Sequence, residues 1–283
     1  CFVSIDIHPN AGWQQNGITV VGGNRQGNGI NQLSKPLGMH VDDDQTVYVA
    51  DQWNHRIVKW KWDATSGQVV AGGNGQGNGA HQVVRWPRRN GTSGETIISN
   101  IDCVGLTMDE NGSLYVTDEG KHEVRRYRRG ESQGTVVGGG NGRGNRLDQL
   151  SYPRYVFVDR DHSLYVSDGG NHRVMKWVKG AKQGIVVAGG QEEGNGLAQL
   201  SYPYGVVVDQ LGTVYVADLG NDRIMRWPKG ATQGSVIVGG NSRGEQSNQL
   251  NWPIGLSLDR HGNLDVVHWG HYSVEKFELE SNK

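Results

Sequence analysis

The residues that could carry chemistry in this chain are an aspartate and an arginine that recur together, and ten histidines. Asp51, Asp168 and Asp218 each stand five residues before Arg56, Arg173 and Arg223, with Asn54, Asn171 and Asn221 between them. Carboxylates at fixed spacing suggest acid–base catalysis, but an Asp–Arg pair is also a bidentate ion pair that fixes a turn. In one copy both partners change together, and in another only the Arg position changes, which counts against strict pairing. His268 takes the Asp position and Ser273 the Arg position in one copy, as a structural pair predicts. A further copy keeps Asp118 but carries Glu123 in the Arg position, with Arg125 and Arg126 as the expected substitutes.

A catalytic zinc needs about three converging protein ligands. His55, His122 and His172 occupy equivalent positions in separate copies, so a repeating fold spreads them apart. His40 and His268 are expected near the centre of the fold, without an evident third partner. No metal, cofactor or catalytic residue is therefore assigned. The run Gly73-Asn-Gly75-Gln-Gly77-Asn-Gly79 has the look of a phosphate cradle, but no helix pattern follows it, and similar runs start at Gly140 and Gly240. It reads as a connector that needs positive φ. Cys103 reads as a buried, inert thiol.

These residues belong to a repeat of 50 positions. Leu150-Ser-Tyr-Pro153, Leu200-Ser-Tyr-Pro203 and Leu250-Asn-Trp-Pro253 start three copies, and Leu33 to Pro36 starts another. Each copy runs on to Asp42, Asp159, Asp209 or Asp259, then to the Asp…Asn-x-Arg segment, then to Trp60, Trp177, Trp227 or Phe277. It holds four short β-rich runs separated by Gly, Asn and Asp turns. No segment has a sustained helical period. Four antiparallel strands repeated around a ring make a β-propeller. The expectation is one all-β domain over residues 1–283.

The last copy stops at Phe277, after its third strand, and Ile18-Thr-Val-Val21 at the other end has the pattern of the missing fourth. The N-terminal strand is expected to close the ring. Only 67 residues separate Asp42 from Asp109, where two periods would need 100. Val83–Trp86 and Glu95–Ser99 read as third and fourth strands without a first and second. The layout predicted is six-bladed, with five complete blades and a truncated second blade irregular over 74–101. A five-bladed ring with an insertion is the alternative.

Leu-x-x-Pro-x-Gly, Tyr-Val-Ala-Asp and Asn-x-Arg-Val/Ile together resemble the NHL repeat, over nearly the whole chain. The resemblance implies a propeller, usually six-bladed, and no single activity. Relatives include substrate- or RNA-binding modules, extracellular sensors and a zinc-dependent lyase, and none of their site residues is carried over here.

Positions just after the repeat landmarks vary from copy to copy while their neighbours do not. They are Gln52, Trp53, Glu119, Leu219 and Trp269 after the Asp position, and Arg154, Tyr155 and Tyr204 after the Pro position. Strand one starts where strand two ends, so all eight are expected on one face, as a ligand surface. The function expected is a non-enzymatic scaffold for a protein or peptide. The alternatives are a lyase or hydrolase at the propeller axis, and an RNA-binding module. The basic run from Lys121 to Arg154, with Arg85, Arg88 and Arg89, supports the latter, though net charge is only −1. No run is long enough to span a membrane. Asn90-Gly-Thr92 and Asn111-Gly-Ser113 are glycosylation acceptors if the chain is secreted, a slight lean to an extracellular setting.

Overall fold

A computed structural model describes residues 7–8, 10–42, 44–72, 82–85 and 95–280. The chain begins its sheets with β1 (Ile18–Gly22) and then builds a blade from β2 (Pro36–Val41), β3 (Val47–Asp51), β4 (Arg56–Trp60) and β5 (Gln68–Gly72). A two-stranded ribbon follows, β6 (Gln82–Arg85) and β7 (Glu95–Ser99). The next blade is β8 (Cys103–Met108), β9 (Leu114–Asp118), β10 (Glu123–Tyr127) and β11 (Thr135–Gly139). Then come β12 (Pro153–Val158), β13 (Leu164–Asp168), β14 (Arg173–Trp177) and β15 (Ile185–Gly189), and β16 (Pro203–Val208), β17 (Val214–Asp218), β18 (Arg223–Trp227) and β19 (Ser235–Gly239). The last blade holds β20 (Pro253–Leu258), β21 (Leu264–His268) and β22 (Ser273–Phe277), with β1 as its fourth strand. Ile18 pairs with Lys276 and Gly22 with Ser273, so the N-terminal strand closes the ring.

Among the described residues there are five four-stranded blades, where a six-bladed layout was expected. Their first strands lie side by side in the order β8, β12, β16, β20, β2. The ribbon has the register of a third and fourth strand. Val83 faces Ile98 and Val84 faces Thr96 across a bulge, as Val174 faces Ala188 and Met175 faces Val186. Val83 and Ile98 pack with Val116 and Tyr127 of the following blade. The apolar face of β8 is open: Leu106 is 46% and Met108 54% exposed, whereas the matching Val156 and Val158 of β12 are buried. The loop Gly73–Gly79, Arg88, Arg89 and the Asn90 acceptor lie outside the described residues.

Each landmark of the repeat has a physical task. The Asp that ends the first strand ties the hairpin behind it. Asp209 Oδ1 accepts the Thr213 N–H at 2.8 Å, and Asp42, Asp109, Asp159 and Asp259 accept at the same position. The Leu that opens each copy, Leu33, Leu150, Leu200 or Leu250, is fully buried, as are Trp60, Trp177, Trp227 and Phe277. Burying these large apolar side chains between blades drives assembly of the ring. The connector needs glycine where it leaves the fourth strand. Gly189 has φ +66°, and a Cβ there would meet the His172 carbonyl oxygen at 2.6 Å.

Candidate functional site

The recurring Asp is buried and fully engaged. Asp218 Oδ1 accepts the Ser201 N–H, and its Oδ2 accepts from Asn221 Nδ2 and Arg223 Nε, each at 2.7 Å. Arg223 then donates to the carbonyls of Asn195, Gly196 and Gln199 in the connector. Asp51 and Asp168 repeat this arrangement. Burial raises the carboxyls of Asp168 and Asp218, and the Asn, Ser and Arg partners pull them back. Each set locks a connector onto its blade and has no free oxygen for catalysis. Asp118 is served by Lys121, at 3.2 Å, not by Arg125 or Arg126; Arg125 pairs with Glu123 instead.

The histidines after these turns join neighbouring blades. His122 Nδ1 accepts the Tyr152 N–H at 3.3 Å and its ring meets Tyr152 edge-on; His172 does the same for Tyr202. His40 is exposed and stacks on Tyr48. His268 is fully buried. Burial pushes the Cys103 thiol up to about 11, aided by Asp118 and Asp102, which fits an inert group.

The residue before each Pro that opens a first strand takes the left-handed conformation: Lys35 (φ 49°), Tyr152 (52°), Tyr202 (48°) and Trp252 (52°). Non-glycine residues enter that region at a cost. Here it turns Lys35, Tyr152 and Tyr202 towards the preceding blade. Lys35 Nζ sits 3.8 Å from the ring centre of Trp269, 5.3 Å from Tyr272, 5.8 Å from Trp252 and 5.9 Å from Trp53. Trp53 is 58% exposed, and Trp252, Trp269 and Tyr272 are half-buried. Aromatic faces hold an ammonium through their quadrupoles. Among the described residues Lys35 has no carboxylate partner.

Trp53 and Trp269 are thus brought together around Lys35. Trp269 shares an apolar cluster with Ile254, Tyr204 and Leu219. Arg154 lies 6.0 Å from the Tyr204 ring and pairs with Glu119 at 2.7 Å. Burial pushes the Tyr204 hydroxyl up to about 12, so it stays a neutral hydrogen-bonding group. Tyr155 is partly buried and packs against the main core cluster. Gln52 is exposed, with its carbonyl accepting the His55 N–H. Lys35, Trp252 and Tyr272 were missed by sequence reasoning. The signal for Lys35 and Trp252 was the position before the repeating Pro, filled by Lys, Tyr, Tyr and Trp in turn, and for Tyr272 the position filled by His55, His122, His172 and Asp222 in the other copies.

The basic run is largely neutralised. Lys121, Arg125, Arg128, Arg146 and Arg154 each have a carboxylate partner, and Arg143 lies over Tyr152. A shallow cleft between Gln191–Gln199 and Thr232–Gln233 has no ionisable lining residue. Among the described residues no helix is long and apolar enough to cross a membrane.

The NHL repeat family model matches residues 33–60. No curated protein matches the chain in sequence. Solved structures with the same fold include an auxiliary nutrient binding protein from Bacteroides thetaiotaomicron. It is 14% identical with a TM-score of 0.72, over 96% of this chain and 78% of that one. They also include a streptogramin B lyase, 11% identical with a TM-score of 0.58, over 87% and 94%. A third is a virginiamycin B lyase from Staphylococcus aureus, 13% identical with a TM-score of 0.57, over 97% and 89%. At these identities the likeness is one of fold.

Proposed function

We propose that this NHL-repeat β-propeller is a non-enzymatic scaffold that binds a protein or peptide on the loop face carrying Trp53, Lys35 and Trp269. The observation that carries the reading is the set of four rings around Lys35, one of them more than half exposed. Exposed tryptophan beside arginine and tyrosine is the composition of interface anchors. From Trp53 the surface continues through Trp269 and Tyr204 to Arg154 and Glu119, giving an apolar patch with a polar end. A nutrient-binding neighbour agrees with a binding role, and the lyase neighbours share the fold without lending residues. Five of the eight basic side chains of the run are paired with carboxylates, which speaks against RNA, since it needs a face of free cations beside stacking aromatics. A peptide can instead supply its own charge to Glu119 or its own apolar groups to Trp53.

The ring on this reading has six places. The ribbon fills the outer half of the second place, which accounts for its register and for the open face at Leu106 and Met108. An extracellular setting is part of the same proposal, with Asn111 exposed in its turn and open to glycosylation.

The test is a random peptide library panned on the protein, followed by titration of the enriched peptide into indole-15N-labelled protein. The indole signals of Trp53, Trp252 and Trp269 should move. Those of Trp60, Trp177 and Trp227, buried between blades, should not. Movement of the buried set alone would overturn the proposal.

A further inference from the structure

The last blade departs from the others in four coordinated positions. His268 replaces the aspartate of Asp218, His271 the asparagine of Asn221, Ser273 the arginine of Arg223, and Glu275 the buried apolar residue of Met225. The first three changes dismantle the ion-pair set that locks the other connectors. The fourth places a carboxylate where Met175 and Met225 are fully buried. Loss of the turn alone would not call for an acid in the core, because burying a charge without a partner is costly.

The new residues face one another. His268 Nε2 lies 3.6 Å from Glu275 Oε2, and His271 Nδ1 lies 3.5 Å from Glu275 Oε1. One ligand atom from each of the three falls within 4.8 Å of the others. His268 is 0% and Glu275 8% exposed, and His268 Nε2 and Glu275 Oε2 are buried without a hydrogen-bond partner. Donors on a tetrahedral ion with bonds of about 2.0–2.2 Å stand about 3.3–3.6 Å apart. The two contacts have that spacing but reach different oxygens of Glu275, and the widest separation in the set, up to 4.8 Å, has to close by about 1 Å around an ion.

We propose that His268, His271 and Glu275 form a site for one divalent transition-metal ion of the zinc class, beneath the strand that closes the ring. Two imidazoles and a carboxylate are borderline donors suited to zinc, and a fourth position is left for water. The orientation of His271 is prepared. Its Nε2–H donates to the Gly244 carbonyl, the contact that Asn54, Asn171 and Asn221 make to Gly27, Gly144 and Gly194. That bond keeps a proton on Nε2 and leaves Nδ1, facing Glu275, as the ligand atom, the orientation in which metal-bound histidines are commonly held. His268 requires a rearrangement. Its Nδ1 accepts the Asn251 N–H at 3.4 Å, so in the free ring the proton sits on Nε2. On metal binding that proton passes to Nδ1 and the Asn251 amide loses its acceptor. The contact is already long: the same amide reaches the aspartate at 2.6–2.7 Å in three other blades.

The site sits where the ring is closed. Thr19 of β1 pairs with Glu275, and a Cβ on Gly17 would lie 2.9 Å from Glu275 Oε2. An ion held here would link the N-terminal strand, the last blade and, through His271, the connector at Gly244.

The experiment uses untagged full-length protein, stripped with chelator, dialysed against zinc and assayed for bound metal, with cobalt as a spectroscopic stand-in. His271→Asn restores the asparagine–carbonyl bond of three other blades, and Glu275→Met restores their buried apolar residue, so both variants are built to fold. The wild type should retain one zinc, give the visible bands of tetrahedral cobalt, shift the Asn251 amide resonance and melt higher with zinc. Both variants, confirmed folded, should lose all four responses. A wild type that holds no stoichiometric zinc, or variants that bind it equally, would overturn the site and leave a buried His–Glu–His network bridged by protons.

Discussion

Replacing Asp218 with alanine should cost far more stability than the same change at Asp118. Asp218 accepts three hydrogen bonds at 2.7 Å, from Ser201, Asn221 and Arg223, and is fully buried. Its loss strands the Arg223 guanidinium, only 6% exposed, against three connector carbonyls with no counter-charge. Removing one partner of a buried ion pair costs about 3–5 kcal/mol. Asp118 is buried but accepts only one backbone N–H, from Lys121 at 3.1 Å, and the side chain of its ion partner Lys121 is 57% exposed, so the pair is open to solvent on one side. An exposed pair contributes about 0–1 kcal/mol and a single hydrogen bond about 1 kcal/mol. The expected costs are therefore about 4 kcal/mol at Asp218 and about 1–2 kcal/mol at Asp118. Equilibrium urea unfolding followed by tryptophan fluorescence measures both. Equal costs would refute the idea that the Asp–Asn–Arg set locks each connector.

Three further outcomes follow from the same contacts. Trp13 is 1% exposed, meets Tyr215 edge-on and donates from Nε1 to the Gly262 carbonyl, so Trp13→Ala should cost about 3–5 kcal/mol in urea unfolding; under about 1 kcal/mol, the N-terminal segment does not hold the ring shut. Burial pushes Asp265 up to about 7, its two oxygens having no hydrogen-bond partner. The folded state then holds a proton that the unfolded chain has lost, so this group's contribution falls as pH rises from about 4 to about 7, by at most about 1.4 kcal/mol per unit. Asp265→Asn should remove that slope from urea midpoints taken across the window, and parallel curves would contradict it. Cys103, with its thiol near 11, should be alkylated at about pH 8 roughly a hundredfold more slowly in the folded than in the unfolded chain, read by peptide mass mapping.

The blades were legible because each landmark is fixed by a contact that recurs with the repeat. Asp209 ties a hairpin and Asp218 ties a connector, so both survive in every copy where the contact survives. Closure by Ile18–Gly22 was legible for the same reason: an edge strand left unpaired has to find a partner. Blade number was less legible, since β6 and β7 carry an outer-strand pattern and the pattern alone does not fix the geometry of the ring. The cluster around Lys35 was half legible. Trp53 and Trp269 follow the aspartate landmark and were singled out by their variation. Lys35 and Trp252 stand before the prolines, where only the left-handed backbone shows that their side chains meet at the joint between two blades. The His268–His271–Glu275 set was hidden because Glu275 lies on a strand position filled by buried Val58, Met175 and Met225 in three other copies, and only the register brings it to the two histidines. Tyr204 and Trp269 also prove less separable from folding than an exposed ligand surface would be, because both pack into the apolar cluster beneath them.

Trp53 is therefore the residue on which the binding proposal turns, being 58% exposed and resting on no core cluster. The direct measurement is the dissociation constant of a library-selected peptide for wild type, for Trp53→Ala, and for Arg128→Ala at the opposite end of the blades. The account predicts that Trp53→Ala weakens binding about tenfold or more, the effect of removing an interface anchor. Unfolding stability should change by less than about 1 kcal/mol, and Arg128→Ala should leave affinity unchanged. A peptide that binds Trp53→Ala as tightly as wild type, or that is lost only with Arg128→Ala, would contradict the assignment of the working face.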